Sequence, residues 1–220
     1  MRISFYLIPF LVCLNSMAQN NFSRKIDSCN YDIRKLSIDS DNCNLYNCPK
    51  TDEMSVLIAL SFFPELSGRK IIFKGKEIKT TLNARPTISS LLFSKKGNRT
   101  YVIRINTNKS DSIISLSDIP FNAKIGLFAH EFSHFSDYQS RSLFGIIARG
   151  ISYSSKKTKA KFEKEIDLNT INRGLGWQLF DWSNYVQNES NATFKYKEFK
   201  MNIYLSPEDI LKTINALTVQ

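Results

Sequence analysis

Histidine is almost missing from this chain of 220 residues, which holds two. Glycine and proline are also sparse, at eight and six, so repetitive fibrous or low-complexity architectures are excluded. No apolar run reaches the roughly twenty residues that span a bilayer as a helix. The longest, Ile3 to Leu14, is a dozen residues. Acids are outnumbered, 20 against 30 basic residues, a formal charge of +10. Cysteine is rare as well, at four. What is present is an apolar fraction of 42% with 12% aromatics, enough for one domain with a sizeable core and too much for a disordered chain.

The first eighteen residues carry the three parts of a secretory leader: Arg2, the apolar run, and the small-residue site Ser16-Met17-Ala18. Cleavage is expected after Ala18. The run is short for an anchor, and Val12 before Cys13 is a poor lipoprotein site. The chain is therefore expected to be exported, to the periplasm, the envelope surface or the outside. Removing Arg2 takes the charge from +10 to +9. In that setting a basic surface points to peripheral contact with anionic envelope surfaces, and there is no nucleic-acid motif.

Residues 19–50 are rich in Asn, Asp and Ser and contain Cys29, Cys43 and Cys48, three thiols for at most one internal disulfide whose pairing the sequence does not rank. They read as a cysteine-containing N-terminal segment ahead of a catalytic domain over 51–220. Within that domain Met54 to Phe63 reads as a helix stopped by Pro64. Strand patterns follow at Ile71 to Phe73, Thr80 to Leu82, Ser90 to Phe93 and Tyr101 to Ile105, with a hairpin turn expected at Lys95 to Asn98. From Pro120 the pattern becomes helical, at about 122–138, 142–153, 157–172 and 206–216, the last opened by Ser206 as N-cap with Pro207 in the first turn. Strands first and helices after imply an α+β fold with a small, mostly antiparallel sheet.

The two histidines, His130 and His134, stand four apart, and Glu131 follows the first. On a helix this spacing places both imidazoles on one face, one turn apart, where they can grip a single Zn²⁺. Leu127, Phe128, Phe132 and Phe135 supply the apolar turns of a buried helix. This is the HExxH arrangement, in which the glutamate serves a metal-bound water. A catalytic zinc takes three protein ligands plus water, so a carboxylate must complete the set. Glu163 and Asp167 share a face of a downstream helix, so one can bind metal while the other accepts a hydrogen bond from a ligating histidine. Asp137, one turn beyond His134, and Glu165, on another face of the downstream helix, are rival ligands.

HEFSH at 130–134 with ExxxD at 163–167 resembles the gluzincin zinc metallopeptidases over about forty residues, 126–167. The resemblance implies a zincin-like fold and one Zn²⁺ per chain held by His130, His134 and Glu163. It also implies Glu131 as catalytic base and Asp167 as support for a histidine. A metzincin is excluded, because the Gly and third His of that pattern are replaced by Asp137 and Ser140. The expected activity is a zinc-dependent protease acting on a polypeptide. A zinc amidase acting on a non-protein, cell-wall amide and a catalytically idle envelope-binding module are the alternatives, since the motif fixes the activation of water and not the acyl group.

An oxyanion donor is needed, and with no spare histidine the candidates are Tyr138, Tyr153, Arg173 and Tyr185. The strand Tyr101 to Ile105 reads either as an edge that binds extended substrate or as an interior strand. Leu143 to Ile151, followed by a lysine cluster, reads first as a core helix over the zinc helix and second as a membrane-facing one. Gly174, Gly176, Trp177 and Trp182 read as a turn with core anchors.

Overall fold

The computed structural model describes residues 23–26, 44–108 and 113–218. The expected leader, Cys29 and Cys43 lie outside the described residues. No described helix is long and apolar enough to cross a membrane.

Among the described residues, four strands form one sheet in the order β1-β2-β4-β3: β1 (Leu45–Tyr46), β2 (Ile71–Lys76), β3 (Leu82–Pro86) and β4 (Tyr101–Asn106). β2 runs parallel to both β1 and β4, and only β3 is antiparallel to its neighbour. The expectation of a mostly antiparallel sheet is thus corrected. The chain leaves β2, makes β3 and a helix, and returns as β4 beside β2, so a crossover takes the place of the expected hairpin. Tyr101 to Ile105 belongs to the interior strand β4, and β1 and β3 are the edges.

The intervening helix, α2 (Ile88–Phe93), occupies the residues expected as a third strand. Thr87 caps it, its hydroxyl accepting the Ser90 amide at 3.4 Å. The run Ile88 to Phe93 has no period-two alternation to hold it in a sheet. Lys96–Asn98 is a single 3₁₀ turn leading into β4.

The helices are α1 (Glu53–Ser61), α3 (Phe121–Ser140), α4 (Leu143–Ser152), α5 (Lys156–Thr170), α6 (Gly176–Asn184), α7 (Phe194–Ile203) and α8 (Pro207–Thr218). The expected helices are all present within a few residues; α6 and α7 fall where none was read. Three helices open on a hydroxyl cap, Ser142 accepting from Gly145, Ser155 from Thr158 and Ser206 from Asp209, at 3.1–3.2 Å, and of these the cap at Ser206 was expected.

The central element is α3, packed between α1, α5, α6 and β3. Phe128, Phe132 and Phe135 are fully buried, with Phe63, Tyr101 and Phe162 around them. Phe63 meets Phe132 edge-on at 5.8 Å between centroids, and Tyr101 tilts over Phe135 at 4.5 Å. Gly126 brings α3 against α6 so closely that a Cβ there would overlap the Gln178 carbonyl. Between α5 and α6 the chain widens into a π turn, Ile171–Leu175, where Gly174 takes φ of 89°, in the left-handed region that favours glycine. Arg173 beside it donates to the Phe62 carbonyl, Glu65 and Ser136, tying the α5–α6 junction to α1 and α3. Buried Ile26 and strand β1 bring parts of the N-terminal segment into the same core and sheet.

Candidate metal centre

The i, i+4 spacing on α3 does what the helix period requires. His130 and His134 stand side by side, their rings 4.9 Å apart edge-to-face. Both are buried. The third donor comes from α5, whose Phe162 and Ile166 face the core and so carry Glu163 and Asp167 inward with them. Ser133 and Thr170 join the two helices through a hydroxyl pair at 2.8 Å.

Glu163 Oε2 lies 3.3 Å from His130 Nε2 and 3.2 Å from His134 Nε2. The donor atoms of the three residues all lie within 4.8 Å of one another, forming a buried group that can hold a metal ion. Ligand atoms at zinc bond lengths of about 2.0–2.1 Å in a tetrahedron stand about 3.3 Å apart, which is the spacing of these contacts. Glu163 Oε2 is buried and has no hydrogen-bond partner. The other oxygen, Oε1, accepts the Tyr153 hydroxyl at 2.7 Å, which leaves Oε2 as the single atom aimed between the imidazoles.

The histidines are oriented from behind. His130 Nδ1 meets Asp167 Oδ1 at 2.8 Å, and the second Asp167 oxygen accepts the backbone amide of Leu205 at 2.9 Å. With Nδ1–H donated to a carboxylate, Nε2 presents its lone pair to the centre. His134 is held by packing, stacked with Tyr138 at 6.1 Å and edge-on to Phe162 at 5.3 Å.

Charge settles on the cluster as this geometry dictates. Burial works against a charged His130, but the hydrogen bond to Asp167 and the nearby carboxylates of Asp167 and Glu163 outweigh it and push the imidazole up to about 10. Burial likewise opposes ionised Glu163, yet the two histidines hold its carboxyl well below the usual range. Glu131 also feels His130, His134 and Lys200, which favour its ionised form, but burial outweighs them. Burial raises its pKa, and its Oε2 is enclosed without a hydrogen bond.

The rival ligands are committed elsewhere. Asp137 receives Arg141 in a two-pronged contact at 2.8 Å and Arg149 at 3.2 Å. Glu165 pairs with the same Arg149 at 2.8 Å. One arginine thus holds both away from the centre. Of the four oxyanion candidates, Tyr153 binds Glu163, and Tyr138 is buried under His134. Arg173 is tied to Glu65, and Tyr185 donates to the Asp118 carbonyl, so neither reaches the site.

The structure adds two residues that the sequence did not single out. Tyr204, in the α7–α8 connection, packs edge-on to His130 at 5.4 Å, and Lys200 of α7 sits 4.2 Å over the Tyr204 ring. Both line a cavity shared with His130, Glu131, Leu82 and Trp182. Burial, with Glu163 and Glu131 close by, raises the Tyr204 pKa well above its ordinary value, so the phenol keeps its proton. No local pattern marks either residue; the nearest signal is the cap at Ser206, which only fixes where α8 starts.

The chain matches no protein-family model, no curated protein and no solved structure. The reading of the site therefore rests on its own geometry.

Proposed function

We propose that this chain is a zinc-dependent peptidase with a zincin-like site, in which His130, His134 and Glu163 hold the ion and Glu131 is the catalytic base. The observation that carries the reading is the convergence of two ε-nitrogens within 3.2–3.3 Å of one unpartnered carboxylate oxygen, beside a second buried carboxylate, Glu131, whose Oε2 has no hydrogen bond. Two imidazoles and a carboxylate suit zinc best among the common divalent ions. When bound, zinc would lower the pKa of a coordinated water toward about 7 and polarise a carbonyl.

The protein's own groups supply the rest. Glu131 takes a proton from the attacking water and returns it to the leaving amine; enclosure raises its pKa toward the range such a shuttle needs. Asp167 fixes the His130 ring, and Tyr153 keeps Glu163 to one binding oxygen. Tyr204, protonated and facing the cavity, is the donor for a developing oxyanion.

A polypeptide is favoured as substrate by strand β3. The bonds Thr87 N to Thr100 O and Asn106 N to Thr81 O set the ladder so that odd-numbered residues bond β4. Ala84 and the amide of Leu82 therefore face the open side of the edge, while the Leu82 carbonyl accepts the Thr80 hydroxyl at 2.7 Å, and Leu82 lines the cavity with His130 and Glu131. An extended peptide can pair there and bring a carbonyl to the centre.

The test is hydrolysis of an unstructured protein substrate by zinc-loaded chain and by Glu131→Gln. The proposal expects the variant to retain zinc and lose activity by at least about 10²-fold. Equal turnover in both, or no hydrolysis of any peptide by zinc-loaded wild type, would remove the assignment.

A further inference from the structure

Helix α4 is inside out. Its charged residue, Arg149, turns inward to Asp137, Glu165 and the face of Phe162. Its apolar residues Phe144, Ile147 and Ile151 fall at i, i+3 and i+7, one stripe of a helix, and that stripe is open to solvent. Their exposures are 81%, 47% and 65%. The core position expected for this helix is thus corrected: among its described residues, Ile146 alone is buried.

Helix α2 repeats the pattern, with Ile88 63%, Leu92 56% and Phe93 88% exposed. The segment that follows α2 sits against the end of α3 from which α4 departs. Lys96 Nζ donates to the Ser140 carbonyl at 2.7 Å, and Arg99 donates to the Tyr138 and Arg141 carbonyls at 2.8 Å each. Exposed aromatic and aliphatic side chains gathered in this way mark an interaction surface.

The charge around them selects the partner. From Tyr138 to Phe162 the sequence has six cations, Arg141, Arg149, Lys156, Lys157, Lys159 and Lys161, and no acid. From Ile78 to Ser110 there is again no acid. Lys95, Lys96, Lys156 and Lys157 are exposed beside the apolar stripes. Asp137 and Glu165, the carboxylates facing α4, are already paired with Arg141 and Arg149, and Glu198 of α7, which shares a pocket with Lys156 and Lys157, is outnumbered there by those two with Lys159 and Lys195. A second copy of the chain would bring like charge against like.

We propose that α2 and α4 rest on an anionic lipid bilayer, with Phe93, Phe144, Ile147 and Ile151 in the interface and the four lysines at the headgroups. The surface adjoins the metal centre, because Tyr153, directly after α4, is the residue that holds Glu163. The proposal stands whether or not the centre is a peptidase.

The experiment is co-sedimentation of the full chain with vesicles of phosphatidylglycerol and phosphatidylcholine, against vesicles of phosphatidylcholine alone. The expected result is binding to the anionic vesicles that weakens with salt. It should fall at least tenfold in the Phe144→Glu/Ile147→Glu/Ile151→Glu variant, and roughly fivefold for each of Lys156→Glu and Lys157→Glu. Helix content and melting temperature of each variant should match wild type; if the triple variant melts early, Phe144→Ser with Phe93→Ser gives the same comparison. The proposal is overturned if wild type binds neither vesicle, if the variants bind as wild type does, or if the patch instead drives a concentration-dependent dimer or captures an acidic protein with no affinity for lipid.

Discussion

Asp167 illustrates how much of the site a single side chain controls. One oxygen meets the far nitrogen of His130, and the other receives the Leu205 amide, so the carboxylate couples the metal helix to the α7–α8 connection. Replacing it with Asn keeps the size but offers His130 a weaker and differently oriented partner. Asp167→Asn is expected to reduce zinc affinity by about 10- to 100-fold, read by competition with a chelating dye, while the melting temperature in zinc excess changes little. An unchanged affinity would mean that the contact does not orient the imidazole. The contact of Asp167 with His130 was legible because ExxxD places both carboxylates on one helical face. Tyr204 was not legible, because its approach to His130 is made by a turn joining two helices.

The elements divide in the same way. Helix α3 was legible along its length, since its apolar turns at Leu127, Phe128, Phe132 and Phe135 leave no other solution. Ser90 to Phe93 was misread because apolar residues in a short run fit strand and helix alike, and the Thr87 cap decides between them. Strand direction had no local signal at all: whether β4 runs with β2 depends on the crossover between them. Helices α6 and α7 were missed because aromatic, lysine and amide residues alternate there without a clean apolar stripe. The α3–α6 contact supplies a test of the packing. Gly126→Ala would drive a methyl into the Gln178 backbone, and neither helix can yield without moving the buried residues behind it. Overpacking of this kind costs about 1–3 kcal/mol or more, so a melting temperature lowered by several degrees is expected, and no loss would contradict the close approach.

At the scale of the molecule, the centre is a store of opposed charges that responds to pH and to metal together. In the metal-free protein His130 stays protonated up to about 10, above its ordinary 6.5. Because the folded value is raised, this contribution to stability is complete below the unfolded value and disappears as the pH rises through about 10. Glu163 acts in the opposite direction: its lowered value gives stability above the usual carboxylate range that is lost in acid. The metal-free protein should therefore melt progressively lower from about neutrality to pH 10, and this slope should flatten with zinc bound. Zinc must displace the His130 proton, so uptake near neutral pH should release about one proton per chain, measured by calorimetry in buffers of different ionisation heat. No proton release would place the metal elsewhere.

The direct test of the account is the zinc content of the purified protein after zinc loading, by elemental analysis of wild type, Glu163→Ala and Glu165→Ala. The geometry predicts about one zinc per chain in wild type and in Glu165→Ala, whose carboxylate is bound to Arg149, and loss of zinc in Glu163→Ala. Folded wild type that takes up no zinc, or a Glu163→Ala protein that holds it as tightly as wild type, would contradict the assignment of the centre.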